Sequence, residues 1–164
     1  MKTAKRVVRA SARAATDFAT KLGGRSTAAS GAWLEKGDAR VPGRFRIETK
    51  CPPTKSYRLT FSDWEKIRDA ALQSNEVPVF HLKLGREEIA VIREQDYEGF
   101  GGTVTGTAVT ALGPPQVGHT ISDQSWARII AHWQHGTAVI TDGTRQYRLR
   151  FLPLAEFVAL VKDT

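Results

Sequence analysis

Lys36-Gly37-Asp38-Ala39-Arg40-Val41-Pro42-Gly43-Arg44-Phe45-Arg46-Ile47-Glu48-Thr49-Lys50 is the stretch from which the fold is read. Pro42-Gly43 marks a turn, so residues 33–40 and 44–50 predict two strands joined at Val41-Pro42-Gly43. In the second strand Phe45, Ile47 and Thr49 alternate with Arg44, Arg46, Glu48 and Lys50. Successive side chains of a strand go to opposite faces, so Glu48 and Lys50 share one face and Phe45 and Ile47 pack behind it. Residues two apart on one face lie within about 7 Å of each other, near enough for one site. A two-residue loop would set Asp38 opposite Ile47. A longer loop or a bulge is therefore expected, bringing Asp38 opposite Glu48.

An acid, a gap of nine residues and then Glu-x-Lys suits phosphodiester hydrolysis. That reaction needs an activated water, a sink for transition-state charge and help for the leaving oxygen. Magnesium supplies charge and acidifies bound water while taking few, hard oxygen ligands. Asp38 and Glu48 are ligands of that type, the backbone carbonyl of Thr49 lies between them and the metal, and Lys50 orients the water or stabilises the charge. The same residues are also what an ion pair on a solvated strand, with Asp38 in a turn, would use. The upstream Gly-Asp at matching distance, the apolar backing and the basic setting favour chemistry.

That setting is uneven. Residues 1–60 carry fourteen Lys and Arg against Asp17, Glu35, Asp38 and Glu48, a net +10 in a chain of net +7. A basic half suits a polyanion, since each phosphate neutralised releases counterions. Cys51 is the only cysteine, which excludes an internal disulfide and a cysteine-based zinc site. No apolar run approaches the roughly 20 residues of a membrane span, and no apolar stretch follows the basic N-terminus as in a secretory signal. A cytoplasmic protein is expected.

Along the rest of the chain, residues 4–22 predict an amphipathic helix with Ala4, Val8, Ser11, Ala15, Phe18 and Leu22 on its stripe, ended by Gly23-Gly24. Tyr57 to Phe61 suggests a short strand, and Ser62-Asp63-Trp64-Glu65 a capping box opening a helix to about Ser74. Val77–Leu84 and Ile89–Ile92 are further strands. Residues 99–118, rich in Gly, Thr and Pro, suggest a linker or long loop. The C-terminal part then echoes the middle: Trp126 and Ile129 match Trp64 and Ile67, Ala138-Val139-Ile140 matches Pro78-Val79-Phe80, Leu149 and Phe151 match Ile89 and Val91, and Glu156-Phe157 matches Asp96-Tyr97. The offset is 62 in the helix and 60 after it. Both halves then predict strand, helix, strand, strand, short helix over residues 56–100 and 118–160, the second without the Asp…Glu-x-Lys segment. The expected division is a core over residues 1–100, a linker over 101–117 and an α/β extension over 118–164, packed on the same domain or separate from it.

Other residues have simpler explanations than chemistry. His132 and His135 sit three apart with no third ligand, too few for zinc. His81 lies in an apolar strand, Gly99-Phe100-Gly101-Gly102 has no Gly-Lys-Ser/Thr after it, Cys51 has no neighbouring histidine, and Trp126 and Trp133 are core or a dimer surface.

The Asp38…Glu48-x-Lys50 pattern is that of the PD-(D/E)xK nucleases. With Gly23-Gly24-Arg25, Ser30-Gly31, Lys36-Gly37-Asp38, Lys55-Ser56 and Pro78-Val79-Phe80-His81-Leu82, the stretch from about Leu22 to Leu84 resembles phage-encoded relatives of the Holliday junction resolvases of archaeal Hjc type. The resemblance implies an α/β, restriction-endonuclease-like fold with a mixed sheet flanked by helices, a homodimer with two sites, and Mg2+-dependent nicking of four-way DNA junctions, with Mn2+ substituting. It implies a host cytoplasm as the setting. It places Asp38, Glu48 and the Thr49 carbonyl on the metal, with Asp17 as the one acid available to join them from the N-terminal helix. Asp17 also lies four residues from both Arg13 and Lys21, where a helix ion-pair network explains it. Ser30, Lys55 and Ser56 fall near the phosphate, and Arg25, Lys36, Arg40, Arg44 and Arg46 complete a DNA-binding set. A flap or linear-duplex endonuclease of the same fold, or a non-catalytic architectural DNA-binding protein, stays open on the sequence.

Overall fold

In the computed structural model, which describes residues 2–23, 38–103, 108–162 and 164, the N-terminal amphipathic stretch is helix α1 (Lys2–Lys21). Its buried stripe is Ser11, Ala14, Ala15, Phe18, Ala19 and Leu22. Four small residues around one large ring let the helix lie close on a sheet. Ala4, expected on that stripe, is exposed, and the side chain of Val8 lies outside the described residues. Gly23, at φ +75°, takes the left-handed conformation that ends the helix.

Four elements follow in the order of the predicted hairpin and helix: β1 (Asp38–Val41), β2 (Phe45–Lys50), β3 (Ser56–Thr60) and α2 (Phe61–Gln73). β4 (Val77–Leu84), β5 (Glu87–Arg93) and α3 (Glu94–Gly99) complete the first half. The second half is β6 (Val109–Ala111), β7 (Gly118–Ser122), α4 (Asp123–His132), β8 (His135–Thr141), β9 (Gln146–Pro153) and α5 (Leu154–Lys162). Seven strands form one mixed sheet in the order β1-β2-β4-β5-β9-β8-β6, and β3 and β7 pair as a separate ribbon. Period-two alternation sorts the side chains into two cores. Phe45, Ile47, Val79, Ala90 and Ile92 meet α1, α3 and α5 on one face. Phe80, Leu82, Val91 and Phe151 meet α2, α4 and the ribbon on the other. The chain is α/β, a mixed sheet flanked by helices.

Helix α2 begins two residues earlier than its sequence signal. Thr60, the last residue of β3, is the N-cap, and its hydroxyl accepts from the Asp63 amide while Asp63 accepts from the Thr60 amide, each at 3.1 Å. Asp63 sits three residues after a β-conformation threonine and does the work expected of Glu65. Glu65 instead holds Arg145 (2.9 Å) and the Tyr147 hydroxyl.

The internal echo is a real pseudo-twofold. β2-β3-α2-β4-β5-α3 is followed by β6-β7-α4-β8-β9-α5, and β2 runs parallel to β4 as β6 does to β8. The two copies meet antiparallel at β5–β9, where Val91 pairs with Phe151, and at β3–β7, where Arg58 pairs with Thr120. Those pairs are the offsets of 60 and 62 facing each other across the axis. Trp64 and Trp126, both fully buried, are mates, and Ser122 with Ser125 repeats the Thr60–Asp63 cap.

Two expectations are corrected. Phe80 pairs with Val91 and Gly136 with Phe151, so β4 maps onto β8 at an offset of 56 and Leu82, not Pro78, is the counterpart of Ala138. The second copy has a shorter helix and a longer hairpin, so the offset falls and then recovers. Residues 99–118, expected as a linker, contain β6, which extends the sheet beside β8. The second copy therefore does carry a strand where the first has Glu-x-Lys. By register, Glu48-Thr49-Lys50 is replaced by Thr110-Ala111-Leu112.

Candidate functional site

The β1–β2 hairpin is closed by the Arg44 amide on the Val41 carbonyl at 2.9 Å, with Gly43 at φ +73° in the turn. Positive φ suits glycine there, after a proline whose φ is already set. A plain two-residue turn would pair Val41 with Arg44. The register is instead Val41↔Phe45, Ala39↔Ile47 and Asp38↔Glu48, so Arg44 is the extra residue. The bulge does what the spacing requires: it shifts the pairing by one and puts Asp38 across from Glu48.

Glu76, its side chain wholly buried, stabilises that turn. Its carboxylate accepts from the Gly43 amide (3.3 Å) and from Arg40 Nε (3.2 Å) and Nη2 (2.7 Å). Arg44 donates to the Val161 carbonyl at 2.8 Å and lies over the Phe45 ring. Arg40 and Arg44, expected on phosphates, thus have structural partners; their charge is tied to the hairpin and to α5. Arg46 remains on the Glu48 face of β2.

On that face Lys50 Nζ contacts the Glu48 carboxylate. The Val77 amide donates to the Arg44 carbonyl at 2.8 Å, and backbone groups alternate edges along a strand. Those of Arg46, Glu48 and Lys50 therefore aim at β4, and those of Phe45, Ile47 and Thr49 at β1. Two consequences follow. Asp38 and Glu48 form a non-hydrogen-bonded pair, the kind with Cα atoms about 4.5 Å apart. The Thr49 carbonyl points along the β1 edge just beyond Glu48, where described pairing with β1 ends.

Tyr57, in β3, joins this face, and sequence reasoning gave it no role. Its hydroxyl donates to Asp63 Oδ2 at 3.1 Å and its ring lies 5.9 Å from Phe80, the residue paired with Glu48 in β4. Burial first, then the Asp63 and Glu48 carboxylates, push its pKa well up, so it stays a neutral donor. The only available signal was its place just after Lys55-Ser56.

Behind β2, buried Thr49 Oγ1 is 3.3 Å from His81 Nδ1. His81 Nε2 lies 3.3 Å from Glu88 but off the line of a hydrogen bond. Burial lowers the His81 pKa, only partly opposed by Glu88; His135 is lowered by burial too, against Glu156. Each histidine therefore binds a proton less readily folded than unfolded. Their stabilising contribution is complete above the unfolded value of about 6.5 and is lost as pH falls below it. The urea midpoint is expected to be flat above neutrality and to drop between pH 6.5 and 5. In His81→Gln that drop becomes shallower; an equal slope would show that His81 protonates alike in both states.

Asp17 is not on the Glu48 face. Helix α1 packs against the opposite side of β2, and Asp17 lines a recess of about 500 Å³ with Arg13, Cys51, Lys55 and Lys83. Lys55, at φ +55°, lays its side chain over Gly85 on the same recess. Lys21 lies 3.8 Å from Glu88. The Cys51 thiol is pushed up by burial, consistent with a bystander. Ser56 opens β3 opposite Ser122. Arg25, Ser30 and Lys36 fall outside the described residues. His132 ends α4 while His135 begins β8, bound to Glu156 at 2.7 Å.

Among the described residues no three His, Cys, Asp or Glu side chains converge as a metal group, and no helix is long and apolar enough to cross a membrane. The donor set at β2 is oxygen only: the Glu48 carboxylate, the Thr49 carbonyl and an aspartate position across the strand. That chemistry suits a hard cation that keeps several waters, and not zinc. No family model, curated protein or solved structure matches this chain.

Proposed function

We propose that the chain is a magnesium-dependent endodeoxyribonuclease with a restriction-endonuclease-like core, acting on branched DNA and most specifically on four-way junctions. The observation that carries the reading is the one-residue shift of the β1–β2 hairpin, which sets Asp38 opposite Glu48 beside Lys50. Asp38, Glu48 and the Thr49 carbonyl would hold Mg2+, or Mn2+ in its place, which supplies charge to the phosphate and acidifies water. Lys50 is held against Glu48, where its ammonium can orient the attacking water and offset transition-state charge. Tyr57 offers a neutral hydroxyl beside them. Arg46 and Ser56 suit phosphate contacts that position the backbone without reading sequence, with Arg25, Ser30 and Lys36 as further contacts; Lys55, turned to the Asp17 recess, is not one of them.

One chain carries one such site, since Thr110-Ala111-Leu112 occupies the mate of Glu48-Thr49-Lys50. Two opposed nicks across a junction therefore call for a homodimer. The test is cleavage of an end-labelled four-way junction beside a matched linear duplex, with and without magnesium. Paired nicks in the junction alone are expected. Equal cutting of both keeps the nuclease and removes the junction; no cutting, with tight salt-sensitive binding, leaves an architectural DNA-binding protein.

A further inference from the structure

The pseudo-twofold gives the Glu48 site an image, and a cleft of about 360 Å³ lies there. At the offset of 62, Glu48 becomes Thr110, Lys50 becomes Leu112, Lys66 becomes Arg128 and Ala71 becomes Trp133. The image keeps the mate of β2, the β3–β7 ribbon and a helix capped in the same way, but among the described residues it has no counterpart of β1, so β6 is an edge where β2 is not. It has lost the acids. Thr110, Leu112, Thr120, Arg128, Ile129 and Trp133 line it, with Ser125 where the first copy has Asp63, so no carboxylate opposes a phosphate. It has gained an aromatic. Trp133 is 44 % exposed, and its amide is held by the Ile129 carbonyl at 2.7 Å, so the ring stands on a fixed base at the end of α4.

We infer that this cleft is a non-catalytic nucleic-acid subsite, taking an unpaired base and its phosphate from the same branched DNA that the Glu48 site cuts. The inference rests on the nuclease reading only for its substrate. An exposed indole beside a guanidinium is a stacking platform with a phosphate contact, and hydroxyls supply neutral donors. Arg58 is an exposed cation beside the second cleft, paired with Thr120 of its lining. It sits on the pseudo-twofold axis opposite Thr120, and its Nε would be 3.1 Å from a Cβ placed on Gly118, so it lies across the ribbon because residue 118 has no side chain. A branch point has what two unlike clefts about one axis require: a strand to cut and a displaced strand to hold.

The test is equilibrium binding, in EDTA so that nothing is cut, of a labelled duplex with an unpaired branch and of the same duplex fully paired. Trp133→Ala is expected to weaken binding of the branched probe about tenfold, the size of one lost stacking contact. Trp133→Phe restores most of it, Arg128→Ala weakens it with a shallower salt dependence, and the paired duplex changes less than twofold. Equal losses on both probes, no loss, or failure of phenylalanine to rescue would overturn the subsite. So would a dimer-to-monomer change in sedimentation with unchanged affinity, which would make a second copy the occupant. The catalytic reading stands or falls separately on magnesium-dependent cutting by the wild-type chain.

Discussion

Glu48→Gln lowers magnesium-dependent cleavage by at least about a hundredfold, the scale on which a single transition-state contact acts, and leaves DNA bound as well or better. The substitution keeps the shape of the side chain and removes its charge. Across the strand, Asp38 alone would then supply a carboxylate, and a hard cation holds poorly to one acid and an amide. Binding moves the other way because a negative charge facing the phosphates is gone. The fold is expected to tolerate the change. Glu48 and Lys50 are both partly solvent-exposed, and pairs of that kind contribute about 0–1 kcal/mol. Measuring cleavage, affinity in EDTA and the urea midpoint on one preparation separates the three effects. Cleavage at the parental rate with an unchanged midpoint would leave the pair as a surface ion bridge. Lys50→Ala should fall with Glu48→Gln, and the double variant should lose little more, since the two act as a unit.

What could be read in the chain, and what could not, follows from how far each signal reaches. The face shared by Glu48 and Lys50 follows from period two; the longer loop or bulge followed from requiring Asp38 on that face, and the register has the bulge, at Arg44. Trp64 and Trp126 stood out because two large rings with matching downstream isoleucines imply matching burial, and both are in the core. Strand β6 was hidden. Val109-Thr110-Ala111 is three residues in a Gly/Thr/Pro-rich stretch, and it is a strand because β8 offers an edge, not through any pattern of its own. Arg40 and Arg44 were indistinguishable from phosphate ligands, since their partners Glu76 and Val161 lie 36 and 117 residues away. Asp17 came from the resemblance, as the one acid of the N-terminal helix, with a helix ion-pair network as the alternative; which side of the sheet α1 covers decides its surroundings, and the helix stripe alone does not reveal that.

Arg150→Ala is expected to cost about 3–5 kcal/mol of stability, the usual penalty for breaking a buried charge pair from one side. Arg150 is only 1 % exposed, at the position where the first copy has Ala90. In the first copy that face of the sheet is sealed by α1, so a small apolar residue fits. The second copy has no counterpart of α1 among the described residues, and the position is filled by a long cation instead. Its guanidinium donates to Glu94 through Nε at 2.7 Å and through Nη2, approaches His135 Nδ1 at 2.9 Å and lies 4.2 Å from the centre of the Tyr97 ring. His135 in turn reaches Glu156. Truncation leaves the Glu94 carboxylate without its cation, empties a large volume and frees Tyr97, so desolvation and cavity terms add. If charge is the greater part, Arg150→Met with Glu94→Gln should recover much of the loss, because volume is kept and no charge is stranded. If the cavity dominates, Arg150→Met alone should do so. A loss below about 1 kcal/mol for Arg150→Ala would mean that water reaches Glu94 freely, and that the second copy is closed by apolar packing rather than by this network.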